Sequence, residues 1–209
     1  VPEYEGIASL EGSNVVSGKQ TVRRDDVSGD LSNAVAVRTT GSTKRELLFS
    51  SGVFTLEKGR HVSSKDKGKV LVHKKFADRN KLKLHDKVKL KFLKTDGSTS
   101  SSGETQTLEI VGIFSGKMQE QHTGLPSDLS ENTMFADYES SQKGLGYEGG
   151  NRVVNKVTIT ASSPEKLETV EKKIKKLDVD WSSFEVTKNN GAFQEAIKSL
   201  TGIRKIMRV

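Results

Sequence analysis

The chain has 209 residues, 34 Lys and Arg against 27 Asp and Glu, a formal net charge of +7, 33% hydrophobic and 29% charged content. That length buries a core without metal or disulfide staples. The absence of cysteine excludes a disulfide framework, a thiol nucleophile and a cysteine-ligated metal. No apolar run approaches the roughly 20 residues of a membrane-spanning helix. No signal peptide is visible and residue 1 is Val, so the sequence reads as a soluble piece whose ends are expected to be cuts.

Residues 1–14 read as a helix end followed by a turn, with Ile7 and Leu10 three apart before a Gly12-Ser13-Asn14 break. Val15 to Val22 and Ala34 to Thr40 read as strands, the second alternating Val35 and Val37 with Ala36 and Arg38. Residues 51–62 are extended and end in a glycine turn. Residues 68–93 follow as strand, short helix seated by Phe76 and Ala77, and strand. Ser98 to Glu104 forms a polar hairpin tip before the strand Thr105 to Phe114, and a long polar connection leads to a short strand at Asn132 to Phe135.

Asn151 to Ala161 is expected as a longer strand, with Val153, Val157 and Ile159 alternating around polar residues. The helix that follows has a Ser162/Glu165 capping box, Pro164 in its first turn, and a stripe of Leu167, Val170, Ile174 and Leu177. Trp181 to Val186 reads as a strand. In the closing helix, Phe193, Ala196, Ile197, Leu200, Ile203, Ile206 and Met207 share one face, while Lys198, Arg204, Lys205 and Arg208 decorate the rest.

The pattern alternates strand and helix toward the end and is strand-rich in the middle. It predicts an α+β protein in two parts, a β-rich insert over 41–130 and a discontinuous α/β unit from 1–40 and 131–209.

Charge is concentrated. From Glu57 to Lys94 there are 14 Lys and Arg against 4 Asp and Glu. Lys87, Lys89 and Lys91 alternate with Val88, Leu90 and Phe92, which fits a solvated strand face and also makes those lysines a candidate patch for anionic lipid or polymer. Nucleic acid is not the expected partner, because only Phe76 and Phe92 are aromatic in this segment and alternation buries Phe92.

Catalytic and cofactor signatures are missing. Gly144 to Gly149 satisfies G-x-G-x-x-G, but it leads into a predicted strand rather than opening a helix, so it reads as a loop. His61, His73, His85 and His122 show no metal-ligand spacing. No serine sits in a nucleophile elbow, and Asp25-Asp26 and Asp178/Asp180 read as solvated turn acids. The chain is expected not to be an enzyme, with no cofactor, metal or catalytic residues.

Val53 to Ile113 carries a family resemblance. An apolar-x-x-Gly-Arg turn, Leu56 to Arg60, precedes an acid, Asp66. A Val70-Leu71-Val72 strand, a short helix with Ala77, a turn over Leu82 to Val88 and a closing Val111-Gly112-Ile113 follow. This order resembles the extracytoplasmic domain of MacB-type ABC transporter permeases, which belong with the FtsX-like permeases, in particular peptide and antimicrobial exporters of Gram-positive type. Residues 131–142 and 155–177 resemble the second half of that family's porter subdomain more weakly. Gly59 would permit a tight turn and Gly112 a close backbone approach. His85 stands where Gly is common in such turns, and a β-turn accepts His if φ stays negative.

The resemblance implies a porter-like α/β subdomain split by a β-rich sabre-like insert. It places the chain at the extracytoplasmic face of the cell membrane, between two transmembrane helices of the same permease. Expected partners are those helices, a membrane-fusion protein, a cytoplasmic ATPase acting indirectly, and a peptide or antibiotic substrate. The permease would be dimeric and the isolated domain monomeric. Phe193, Ile197, Leu200, Ile203 and Ile206 would bury a membrane-proximal stalk helix, with Arg204, Lys205 and Arg208 near headgroups. Leu167, Val170, Ile174 and Leu177 would pack the porter sheet. Partner contacts are expected on the loops Ser98 to Glu104 and Met118 to Glu131.

Overall fold

Two long strands organise the structure, a computed structural model that describes residues 1–17, 29–94, 104–147, 149 and 152–187. The first is β1, Pro2–Glu11, where the sequence pattern suggested a helix end. Tyr4, Ala8 and Leu10 are buried at a spacing of two and four, and this period-two set outweighs the three-residue spacing of Ile7 and Leu10. The second is β6, Gln106–Gly116.

Each long strand changes partner along its length. β1 pairs antiparallel with β2, Ala34–Thr40, along one edge; along the other it meets β5, Lys87–Leu93, and then the two-residue β8, Lys156–Val157. β6 pairs in parallel with β4, Lys69–His73, along one edge; its other edge meets β5 and then β3, Phe54–Gly59, both antiparallel. β7, Thr133–Asp137, lies parallel to β2 and antiparallel to β4. The order β2-β7-β4-β6-β5-β1 closes through the β1–β2 pairing into a six-stranded mixed barrel, with β3 and β8 as added edges. Closure leaves no open edge among the six.

Alternation explains the core. Val70, Val72, Met134 and Ala136 point into the barrel with Ala8, Leu10, Leu90 and Phe92. Leu71 and Phe135, on the opposite face of the same strands, join Phe54, Phe114, Val62 and Val111 in a second cluster outside it. β4 and β7 are therefore buried on both sides, which is why they read as continuous apolar runs. Phe49 from the four-residue helix α1, Leu47–Ser50, caps the outer cluster, with ring centroids 4.8 Å from Phe135 and 5.5 Å from Phe114.

Helices are few. α2, Lys74–Asn80, is seated by the buried Phe76 and Ala77 as expected, and starts where the His73 ring accepts from the Lys75 N–H at 3.1 Å. α3, Tyr138–Gly144, is capped by Asp137, which accepts from the Ser140 N–H at 3.0 Å. Gly144, the first residue of the G-x-G-x-x-G run, ends this helix, and a Cβ there would come within 2.3 Å of the Phe92 ring. Its glycine is a packing requirement.

The barrel strands from residues 41–130, β4, β6 and β5, thus sit between β7 (133–137) and β1 in one sheet, and the contacts divide the chain at Val1–Thr158 and Ile159–Val209 rather than at 40 and 131. In the second unit a short 3-10 turn, Pro164–Lys166, leads into α4, Leu167–Ile174. Pro164 occupies the first turn as predicted, but Ser163, not Ser162, precedes it as the cap. Leu167, Val170 and Ile174 are half-buried and Leu177 is 56% exposed, so the stripe forms no buried face in the described part of this unit. The strand expected over 151–161 is reduced to β8, and Trp181 to Val186 is irregular; there the Trp181 indole N–H bonds back to the Leu177 carbonyl at 3.3 Å. No described helix is long and apolar enough to cross a membrane.

Candidate functional site

Four of the residues that carry the family resemblance, Gly59, Arg60, Asp66 and Gly112, meet at one corner of the barrel. Gly59 ends β3 with φ of 78° and pairs with Gly112 of β6. A Cβ on Gly59 would come within 2.2 Å of the Val111 carbonyl oxygen, and one on Gly112 within 2.7 Å of the Arg60 carbonyl oxygen. The Arg60 N–H donates to the Val111 carbonyl at 2.9 Å, fixing the crossing. Two backbones this close exclude any side chain, as the sequence predicted.

From this crossing Arg60 reaches Asp66. The guanidinium donates two parallel bonds, 2.8 and 2.7 Å, to the two carboxylate oxygens. The Ser63 N–H and hydroxyl add donors at 2.8 and 2.9 Å. The bonded guanidinium, helped by Ser63, holds the Asp66 pKa at about 2. The loop over 60–66 is thereby pinned on itself.

His85, in the turn that approaches the same strand, departs from expectation. Its φ is 74°, in the left-handed region that favours glycine, not negative. Its N–H donates to the Ile110 carbonyl at 2.8 Å and its Nδ1 lies 2.8 Å from Glu109 Oε1. Those contacts hold a backbone conformation that a non-glycine residue adopts at a cost.

The pinned loop forms one wall of a cleft of about 580 Å³, and Asp66 lines it. The second wall is the 41–45 loop after β2, sewn to the first by a Ser42–Ser63 bridge, by the Thr43 N–H to the Val62 carbonyl at 3.2 Å, and by the Val62 N–H to the Thr43 hydroxyl at 2.9 Å. The third is the start of α3, Asp137 to Glu139, with Arg152. Arg152 pairs with Glu139 through bonds of 2.7 and 3.0 Å. Asp137 is buried, which raises its pKa, and it accepts from the Lys69 N–H, the Ser140 N–H and the Ser140 hydroxyl.

Beside the cleft lies a charge cluster that the sequence did not suggest. Lys156 Nζ sits 2.6 Å from Glu5, 3.5 Å from Glu46 and 3.8 Å from Glu3, while Arg38 is 2.6 Å from Glu5 and 3.7 Å from Glu46. Glu46 is 1% exposed, and its Oε1 has no hydrogen-bond partner. Desolvation raises its pKa, opposed by Lys156, the Leu48 N–H and Arg38. The outward face of a strand such as β1, carrying Glu3 and Glu5, gave no sign of this partner set in sequence.

The predicted basic patch is broken by acids. Lys87 and Lys89 are exposed on β5, but Lys87 stands opposite Glu109 and Lys89 opposite Glu11. Lys91 stands opposite Ser9. Elsewhere in the basic segment Lys69 pairs with Glu109, and Lys75 with Glu131 at 2.8 Å. The loop Met118 to Glu131 is exposed only in its first half. Leu125, Ser127, Asp128 and Ser130 are buried, and Asp128 accepts from Thr123 at 2.6 Å and Gly124 at 2.8 Å, so that half is bracing rather than free surface. Ser98 to Gly103 and the stalk residues Phe193, Ile197, Leu200, Ile203, Arg204, Lys205, Ile206 and Arg208 lie outside the described residues. Among the described residues no group of His, Asp or Glu is arranged to hold a metal ion.

No family model matches the chain, and no curated protein matches it. A solved crystal structure, provisionally named a permease-protein domain from Porphyromonas gingivalis, aligns over 87% of this chain and 73% of that one, at 15% identity and a TM-score of 0.33. A likeness at that level is a distant one and carries no functional argument by itself.

Proposed function

We propose that residues 1–209 are the extracytoplasmic domain of a MacB-type or FtsX-like ABC permease subunit, which engages a membrane-fusion partner and transmits ATP-driven motion during efflux of peptides or antibiotics. The observation that supports this reading is the convergence of Gly59, Arg60, Asp66 and Gly112. These four are among the positions that carry the sequence resemblance, they are separated by up to 53 residues, and they form one interlocked corner through the Arg60–Asp66 pair and the Gly59–Gly112 crossing. A domain of this kind binds and transmits force, and its rigid closed barrel suits that task better than chemistry.

The test is topological. In the full reading frame an apolar segment of roughly 20 residues should flank the domain on each side, and a reporter placed at Ser98 to Gly103 should face the outside. Polar flanks or a cytoplasmic reporter would overturn the proposal. The alternative, a surface module that holds anionic polymer through Lys87, Lys89 and Lys91, is weakened by the acids opposite Lys87 and Lys89.

A further inference from the structure

The cleft has an unbalanced charge that its residue composition hides. Its acids are all committed: Asp66 to Arg60 and Ser63, Asp137 to three donors, and Glu139 to Arg152. Of its cationic side chains only Arg152 is committed, to Glu139. Lys44 and Arg45 are exposed at its wall and have no ion-pair partner among the described residues. Ser42 and Ser64 also line it, and their hydroxyls have no hydrogen-bond partner there. The two loops lie side by side, since a Cβ on Gly41 would stand 3.7 Å from that of Ser64. Two uncompensated cations and two free hydroxyls thus share one concave wall, and the cavity exceeds the volume of a bare oxyanion.

We propose that this cleft binds a phosphomonoester group, held by the Lys44 and Arg45 cations and the Ser42 and Ser64 hydroxyls, with the remainder of the ligand lying along the cleft. A phosphomonoester carries nearly two negative charges at neutral pH and presents three acceptor oxygens, which matches two cations and two hydroxyl donors better than a planar, singly charged carboxylate does. The guanidinium of Arg45 supplies paired donors and the Lys44 ammonium a compact charge. The site stands independently of the permease reading, because it rests on a cavity in the barrel unit and not on topology.

The experiment uses the full chain with three probes: inorganic phosphate, glycerol 3-phosphate, and phosphatidylcholine vesicles with and without phosphatidic acid. Binding of the soluble phosphates is read by titration calorimetry and by the rise in melting temperature, and vesicle binding by sedimentation. Glycerol 3-phosphate is expected to bind, and the double variant Lys44→Gln/Arg45→Gln to weaken it on the order of tenfold or more. The variant should melt at the parent temperature without ligand, since both side chains are exposed. The charge-keeping Lys44→Arg/Arg45→Lys should retain most of the affinity, and Lys87→Gln/Lys89→Gln should bind as the parent does. Binding of the soluble phosphates identifies a small phosphorylated ligand, while binding only to phosphatidic acid vesicles identifies a lipid headgroup; either upholds the site. Failure of every probe, or equal weakening by Lys87→Gln/Lys89→Gln, overturns it.

Discussion

In β7 every residue is buried and in β4 every residue but Lys69, whereas none of the described residues from 159 to 187 is buried. Both regions carry a clear apolar rhythm in sequence. In the barrel that rhythm meets partners on two faces, because neighbouring strands and the Phe49–Phe54–Phe114 cluster close over it. In α4 the same kind of rhythm produces an amphipathic helix with half-buried apolar positions and an exposed Leu177. Periodicity therefore specifies a face, and burial requires a second surface to meet it.

The sharpest way to probe that contrast is to truncate one side chain from each region. Phe135→Ala should cost about 3–5 kcal/mol, read by denaturant unfolding, because Phe135 is fully buried among aromatic rings. Leu177→Ala should change stability by no more than about 0.5 kcal/mol. Equal effects would mean that the two regions are packed alike. Lys156→Met comes next, at about 3 kcal/mol, because it removes the cation on β8 that faces Glu3, Glu5 and the buried Glu46 and leaves only Arg38 beside Glu5 and Glu46. Glu46→Gln should cost much less, since it removes a desolvated charge whose Oε1 has no hydrogen bond.

Two pH effects are smaller. The Asp66 pKa is depressed from 3.8 to about 2, so its contribution is complete above 3.8 and is lost as pH falls through about 2. After discounting for the exposed Arg60 guanidinium it is on the order of 1 kcal/mol, and Asp66→Asn should flatten the acid limb of the melting profile. For His73, burial lowers the pKa below 6.5. The unfolded chain then takes up the proton first, so stability is full above 6.5 and declines as pH drops below it. His73 Nδ1 accepts from the Lys75 N–H, which fits the neutral ring, and His73→Gln should remove that part of the slope.

The cleft was poorly legible. Lys44 and Arg45 are adjacent cations before a four-residue helix, a pattern that any solvated loop shows, and only the commitment of each acid around them makes them distinctive. Asp66 was reachable through the resemblance, but its bidentate partner became apparent only from the 60–66 loop geometry. Lys156 and Glu46 could not have been joined from sequence, because 110 positions separate them.

The sequence by itself determined what contiguous residues can encode: the strand–helix–strand order from Lys69 to Leu93, the alternating burial of Val88, Leu90 and Phe92, the need for glycine at 59 and 112, and the lack of cysteine chemistry. The tertiary structure decided that residues 2–11 are a strand, that His85 takes a positive φ, and that the strands of 41–130 close one barrel with those on either side. The reason is range. A periodic pattern is fixed within a few neighbouring residues, whereas barrel closure and charge partners are chosen by segments far apart in the chain, whose pairing satisfies backbone bonds and buried charges that no local stretch satisfies alone.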